Sequence, residues 1–238
     1  MMIKKLLTIA TAVAASTCAF AADLPSKKGA AVPAIVAAPF SWNGFYIGVV
    51  GAYSFGKTKN SISGVTLTEF DVDGVMAGGT AGYNVQSGNW IVGLEADIVG
   101  GNANGSGAAL DPTSNYPSIP SATVNWLSTV RARAGLSMDR FFVYGTAGYA
   151  FGSIKGSLTN VTEIGDSDNR TATQTRTGWA VGAGTEYALS QNISAKLEYM
   201  YVDLGEKSVF MPGPLGSDLT FDSKFKTQSI RAGLNYRF

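Results

Sequence analysis

From Trp42 to the C-terminus, apolar and polar residues alternate in segments rich in glycine, aromatic and β-branched residues. A period of two places successive side chains on opposite faces of a β-strand. We count eight predicted strands: Gly44–Phe55, Gly74–Val85, Trp90–Ile98, Val124–Leu136, Phe141–Phe151, Gly178–Leu189, Ile193–Leu204 and Thr227–Phe238. Segments of about ten residues with this pattern are typical of strands that cross a membrane.

The connections between these segments alternate between two kinds. Strands two and three, four and five, and six and seven are joined by short turns around Ser87 and Gly88, Asp139 and Gln191. The other four connections are long and polar: Lys57–Asp71, Gly100–Ala122, Lys155–Thr175 and Gly205–Lys226. We therefore predict an all-β fold, an eight-stranded antiparallel up-and-down transmembrane β-barrel with short periplasmic turns and four long extracellular loops.

One face of most predicted strands carries no charge. In the third predicted strand Trp90, Val92 and Leu94 share a face, whereas Glu95 and Asp97 share the other. A soluble eight-stranded barrel such as a lipocalin places its apolar face inside. The opposite arrangement, with charges inside and apolar residues outside, is expected for a barrel surrounded by lipid.

Two strands fit this rule less well. Phe141–Tyr144 places aromatic and apolar side chains on both faces of the fifth predicted strand, so its inward face stays undecided. In the first predicted strand, Tyr46 and Val50 are expected to point inward although both are large and carry no charge.

The inner face predicts a cluster of opposite charges. Its members are Glu95, Asp97, Arg131, Arg133, Glu186, Lys196, Glu198 and Arg231. Residues that stand opposite each other in a hairpin have numbers with a constant sum. On this basis the expected pairs are Glu186 with Lys196, Glu95 with Arg133 and Asp97 with Arg131 in one register, and Glu198 with Arg231.

The expected role of these pairs is structural, because an unpaired charge inside a narrow barrel costs several kcal/mol. An eight-stranded barrel is just wide enough for its side chains to fill it, so a constitutive pore is not expected. The alternative is a gate of exchangeable pairs that conducts protons or ions.

Composition excludes several functions. Charged residues make up 15% of the 238 residues, against about 25% in soluble domains. The formal net charge of +1 excludes nucleic acid as a partner. The absence of histidine removes Ser-His-Asp catalysis and histidine ligation of metal or haem. We expect no enzymatic activity, no cofactor and no metal site, with a hydrolase that uses carboxylates alone as the minor alternative.

The N-terminal residues predict export. Lys4 and Lys5 precede the apolar run Leu6–Phe20, and small residues on both sides of Phe20 form an A-x-A cleavage site. We predict a signal peptide of the Sec route, cleaved between Ala21 and Ala22. A single membrane anchor is the less favoured interpretation, because the apolar run is shorter than the roughly 20 residues that a spanning helix needs.

The rest of the chain divides into two parts. Residues 22–41, rich in alanine and proline, predict a periplasmic linker, and residues 42–238 form the predicted barrel. The only cysteine, Cys18, lies within the predicted signal peptide, so no disulfide is expected in the mature chain.

Three segments resemble a known family. They are Trp42–Gly48, Lys196–Gly205, and the C-terminal residues Arg231, Gly233, Tyr236 and Phe238. They are similar to the small outer-membrane immunogenic proteins of alphaproteobacteria, which are porin-family or OmpA-like barrels. The four C-terminal residues resemble the assembly signal that the barrel-assembly machinery reads.

This resemblance implies an integral protein of the Gram-negative outer membrane, in contact with membrane lipid, lipopolysaccharide and the assembly machinery. It implies an envelope-structural role and a surface-exposed role as an antigen or interaction partner, whose extracellular partner is unknown. The alternatives are a low-conductance channel and a ligand-binding barrel. Some relatives bind haemin, and in this chain only tyrosine or methionine could ligate its iron.

Overall fold

The computed structural model describes residues 40–62, 65–107, 109–110, 117–161, 167–211 and 219–238. The predicted signal peptide, its cleavage site between Ala21 and Ala22, and all of the predicted linker except residues 40 and 41 lie outside the described residues.

Every regular element of the described residues is a β-strand. The strands are β1 Gly44–Ile62, β2 Val65–Ser87, β3 Trp90–Ser106, β4 Ala109–Leu110, β5 Pro117–Met138, β6 Phe141–Val161, β7 Ser167–Ala188, β8 Ile193–Met211 and β9 Leu219–Arg237. Within the described ranges, no helix has the length and apolar character needed to cross a membrane.

The strands form one closed barrel. Each long strand pairs antiparallel with the next long strand along the chain, β3 pairs directly with β5, and β9 returns to pair with β1. The two-residue β4 pairs only with the start of β5 and does not take part in the closure. The prediction of an eight-stranded antiparallel up-and-down barrel is therefore confirmed.

The strands run much further than the sequence pattern indicates. Most of the predicted loop Lys57–Asp71 belongs to β1 and β2, whose ladder continues to the pair of Ile62 with Val65. The other three predicted loops are likewise strand over much of their length. Outside lipid, both faces of a strand tolerate polar residues, so hydrogen-bonded pairing continues where the alternation of apolar and polar residues has ended. These extensions form the hairpin end of the barrel.

The opposite end, here called the turn end, carries the three short connections. Gly88 has a φ of 60° and Asp139 a φ of 53°, left-handed conformations that glycine and aspartate adopt most readily in tight turns. The pairing of Tyr46 with Arg237 places the start of β1 and the end of β9 at this same end.

The two faces of the barrel differ as the alternation predicts. Trp90 and Leu94 of β3 are 63% and 64% exposed on the outer surface. Glu95, the next residue along the same strand, is buried inside the barrel. The undecided face of β6 is settled, because Phe142 and Tyr144 point inward. Tyr46 is also buried inside, as expected.

Candidate functional site

The interior at the turn end is closed by an aromatic plug, a cluster of Phe40, Trp42, Ile91, Phe142, Tyr144 and Ala188. Trp42 is completely buried, and its ring lies 5.0 Å from Phe40 and 5.4 Å from Phe142 between centroids. Its backbone N–H donates to Gln86 Oε1 at 2.7 Å, and its indole N–H donates to the Asp139 carbonyl at 3.2 Å. The residues that precede β1 therefore fold back into the mouth of the barrel.

Arg237 completes the aromatic plug. Its guanidinium carbon lies 4.6 Å and 4.5 Å from the ring centroids of Phe40 and Trp42. One of its nitrogens donates to the Ser41 carbonyl at 2.6 Å. The rings and the carbonyl take the place of a carboxylate, since cation–π attraction strengthens when the cation is removed from water.

The middle of the interior holds the charge cluster. It comprises the eight residues singled out by the sequence pattern: Glu95, Asp97, Arg131, Arg133, Glu186, Lys196, Glu198 and Arg231. None of them is more than 4% exposed. Four acids and four bases from five strands thus meet in a space from which water is largely excluded.

Arg131 is the centre of the charge cluster. Its Nη2 lies 2.7 Å from Glu95 Oε1 and 2.9 Å from Asp97 Oδ2. Its Nη1 lies 2.8 Å from Glu198 Oε1 and donates to the Thr146 hydroxyl at 2.9 Å. Carboxylates from β3 and β8 therefore converge on one cation of β5.

Glu95 is the matching centre on the acidic side. In addition to Arg131, its carboxylate accepts from Arg133 Nη1 at 3.2 Å and from Lys196 Nζ at 2.9 Å. The Tyr46 hydroxyl donates to Glu95 at 2.8 Å and accepts from Arg133 at 2.6 Å. Both oxygens of this carboxylate are therefore engaged.

Asp97 and Glu198 share a second cation, Arg231. Arg231 Nη2 lies 2.7 Å from Asp97 Oδ1, and Nη1 lies 3.5 Å from Glu198 Oε1. Neutral donors complete both carboxylates: the Thr129 hydroxyl donates to Asp97 at 2.6 Å, and the Tyr144 hydroxyl donates to Glu198 at 3.2 Å. Buried carboxylates need such additional hydrogen bonds, because ion pairing alone seldom offsets their desolvation.

The expected ion pair of Glu186 with Lys196 does not form. The two residues stand opposite each other in the β7–β8 ladder, as the hairpin symmetry predicts. The Glu186 carboxylate nevertheless accepts from Arg133 at 2.7 Å, from Asn235 at 2.9 Å and from the Ser194 hydroxyl. Lys196 instead extends to Glu95, whose carboxylate also contacts Arg131 and Arg133.

The predicted register of β3 and β5 is wrong by two residues. Arg131 stands opposite Glu95, and Gly93 stands opposite Arg133. A shift of two residues leaves every side chain on its own face, so the inward orientation is unaffected. The side chain of Arg133 is long enough to reach Glu95 diagonally, which is why the residue pairing survives the wrong register.

Glycine on neighbouring strands makes room for the charge cluster. Gly82 stands opposite Tyr46 on one side and opposite Glu95 on the other. A Cβ atom at Gly82 would clash with the Tyr46 hydroxyl and with the Leu94 carbonyl. The inward hydrogen bond from Tyr46 to Glu95 therefore depends on the missing side chain at this position.

Comparison with known proteins identifies the family. The family model described as the outer membrane protein beta-barrel domain matches residues 9–238. The chain belongs to this family. Its localisation follows: it is an outer-membrane protein, and the apolar outer surface of this β-barrel domain is the surface that lipid surrounds.

Curated relatives of this outer membrane protein cover most of its length. It is 34% identical over 247 residues to the 31 kDa outer-membrane immunogenic protein of Brucella melitensis, covering 99% of this chain and 100% of that protein. It is 30% identical over 203 residues to the 22 kDa outer membrane protein of Rhizobium leguminosarum, covering 83% of this chain and 79% of that protein.

Among solved structures, the outer membrane protease OmpT of Escherichia coli is similar with a TM-score of 0.55 at 8% identity. The match covers 84% of this chain and 98% of that chain. At this level of identity the likeness concerns the fold alone.

The predicted assembly signal lies on β9 of this outer membrane protein and on Phe238, which directly follows β9. Tyr236 and Phe238 are exposed on the outer surface, with their rings 5.3 Å apart, and Phe238 also lies 5.8 Å from Phe45 of β1. Arg231 points inward to the charge cluster, and Gly233 stands opposite Lys196. The terminal aromatic residues are thus placed on the outer surface of the barrel, which lipid surrounds.

Sequence reasoning missed the neutral members of the interior. Thr129, Tyr144, Ser194 and Asn235 complete the carboxylates, but hydroxyl and amide side chains carry no charge to mark them. The available signal was their position in the alternation, which places them on the inward face of their strands. Within the described ranges, no group of three or more acidic, cysteine or histidine side chains is arranged to hold a metal ion.

Proposed function

We propose that this outer-membrane barrel is a non-enzymatic structural protein of the envelope that displays its long hairpins at the cell surface for antigenic or interaction roles. The observation that carries the proposal is the filled interior. The aromatic plug closes the turn end, and the charge cluster fills the centre with mutually paired side chains. A barrel with a filled interior leaves no open channel for solutes, so its contribution to the envelope is structural.

The absence of an enzymatic role is supported by the state of the carboxylates. A general acid or base must be free to exchange its proton with a substrate. Each of the four carboxylates in the charge cluster is instead bound by at least one cation and one further donor. The sequence contains no histidine to replace them.

Surface display is supported by the asymmetry of the two ends and by the relatives. Long hairpins extend from one end only, while tight turns and the described chain ends occupy the other. In outer-membrane barrels the long connections face the exterior. The relatives named outer-membrane immunogenic proteins are consistent with exposure of these hairpins to the host. On this proposal, lipid and lipopolysaccharide surround the barrel and the assembly machinery inserts it.

Orientation is tested by labelling intact cells. Cysteine is introduced at Lys59, exposed on the hairpin end, or at Ser190, exposed at the turn end as the matched control. A membrane-impermeant maleimide should label the first and leave the second unlabelled until the cells are lysed. If only the Ser190→Cys variant were labelled in intact cells, the barrel would have the opposite orientation, with its turn end outside.

The structural role is tested with a deletion strain. We expect increased sensitivity to detergent, restored by the wild-type gene on a plasmid. Purified barrel in planar bilayers should give no stable conductance steps. Reproducible steps together with unchanged detergent sensitivity would overturn the structural role in favour of a low-conductance channel.

A further inference from the structure

A third region of the interior, the hairpin-end cavity, lies beyond the charge cluster and is not explained by the proposed structural role. We propose that this cavity is a binding site for a phosphate-class oxyanion, anchored by Arg176. The proposal goes beyond the function proposed above, since a purely structural barrel requires no ligand.

The hairpin-end cavity is lined by residues from seven of the eight long strands. Its volume is about 50 Å³, whereas one buried water needs roughly 10–15 Å³ of such space. The cavity therefore has room for a few water-sized groups, comparable with the four oxygens of a phosphate. Its polar lining includes Thr58, Asn60, Gln174, Arg176 and Ser223, and Phe70 and Phe225 provide apolar walls.

Arg176 lies in this cavity without a counter-ion. The residue is 4% exposed, and its Nη1 donates to the Ser223 carbonyl at 2.7 Å. Within the described ranges, no acidic side chain forms an ion pair with it and no aromatic ring stacks on it. Such a buried cation is costly unless a negative group accompanies it.

A second observation concerns three neutral groups in the same cavity. Thr58 Oγ1, Asn60 Oδ1 and Gln174 Oε1 are buried and make no hydrogen bond within the part of the chain that the structure describes, and Arg176 Nε is also without a partner there. Nε lacks a partner in Arg131 and other arginines of the charge cluster as well. Among the described residues, the cavity is therefore distinguished by a cation without a counter-ion together with several oxygens that make no hydrogen bond.

The chemistry of these groups selects the ligand. Arg176 and the Thr58 hydroxyl can donate to oxyanion oxygens, and a guanidinium matches such oxygens in a two-point arrangement. The amide oxygens of Asn60 and Gln174 can only accept, so the ligand must also carry a donor. Hydrogen phosphate has both, since its P–OH group donates. Sulfate at neutral pH has acceptor oxygens only.

The site is tested by titrating the purified full-length barrel in detergent with inorganic phosphate, using calorimetry. We expect saturable binding of one phosphate per barrel, with sulfate at equal ionic strength at least tenfold weaker. Glucose 6-phosphate forms the second arm. Tighter binding of this ester would identify the source as a phosphorylated sugar, whereas tighter binding of inorganic phosphate would identify the free ion.

Arg176→Gln removes the charge at similar size and should weaken phosphate binding at least tenfold. Lys59→Gln removes an exposed cation at the same end of the barrel and should leave the affinity within twofold. Folding of each variant is checked by the shift in gel mobility on boiling. Absence of saturable phosphate binding to the wild-type barrel would overturn the site, as would equal affinity for sulfate or equal weakening in both variants.

Discussion

Arg131 and Arg176 are both buried inside the same barrel, yet their surroundings are opposite. Arg131 in the charge cluster lies within 3 Å of oxygens from three carboxylates. Arg176 in the hairpin-end cavity has one described hydrogen bond, to a backbone carbonyl. Arginine thus acts as a structural cross-link in the charge cluster, whereas in the hairpin-end cavity no described residue supplies it with a counter-ion. This difference is the one expected for an anion-binding cavity.

Arg237 shows that a buried arginine in this barrel can do without a carboxylate when the fold supplies another partner. Two aromatic rings and the Ser41 carbonyl surround its guanidinium. In the aromatic plug and in the charge cluster, each buried guanidinium therefore has a charged or aromatic partner. The hairpin-end cavity differs from both, because its lining supplies neither carboxylate nor ring to the cation among the described residues.

The largest effect is expected for Arg131→Gln. The change leaves Glu95, Asp97 and Glu198 with one cation fewer in a buried environment. Breaking a buried charge network from one side costs about 3–5 kcal/mol of unfolding free energy. Urea titration of the barrel in lipid vesicles, followed by gel mobility, measures this cost.

The matched control is Lys57→Gln on the outer surface. Lys57 pairs with Glu69 at 3.1 Å, and both side chains are exposed. Exposed pairs contribute about 0–1 kcal/mol. If Lys57→Gln and Arg131→Gln destabilised the barrel equally, burial of the charge cluster would not be the cause.

A smaller effect separates true partners from backbone neighbours. Lys196 donates to Glu95 at 2.9 Å, whereas Glu186, its partner in the ladder, is held by Arg133. A double-mutant cycle of Lys196→Met and Glu95→Gln should give a coupling energy of about 1–3 kcal/mol. The cycle of Lys196→Met and Glu186→Gln should give a coupling close to zero. A larger coupling to Glu186 would mean that the ladder, not side-chain reach, decides the pairing.

The sequence predicts the barrel because lipid imposes a strict alternation on the membrane-crossing part of each strand. The inward position of Glu95 and Arg131 followed from that period alone. Their register did not, because a shift of two residues keeps the same faces and a long arginine side chain reaches either partner. Where the strands extend beyond the lipid, both of their faces carry polar residues. The alternation of apolar and polar residues therefore does not show where these strands end.

The same limit explains why Arg176 was missed. It falls between the predicted loop Lys155–Thr175 and the predicted strand that begins at Gly178. Its parity is that of Glu186, which points inward on the same strand β7. Extending the alternation of the predicted strand by two residues, from Gly178 back to Arg176, would have placed Arg176 inside. Whether a described residue of another strand supplies a counter-ion, however, depends on which strands surround Arg176, and no local pattern encodes that.

The smallest effect is expected for Arg176→Gln in buffer without phosphate. The variant loses a hydrogen bond to Ser223, worth about 1 kcal/mol, and is relieved of an uncompensated charge, so the net change in unfolding free energy should stay within about 1 kcal/mol. Phosphate should then separate the two proteins, because a ligand at 100 times its Kd stabilises the wild-type barrel by about 2.7 kcal/mol. The same urea titration with and without phosphate measures both quantities. If Arg176→Gln lost several kcal/mol of unfolding free energy in phosphate-free buffer, Arg176 would be a structural cross-link like Arg131. The charge cluster and the hairpin-end cavity would then not differ in this respect.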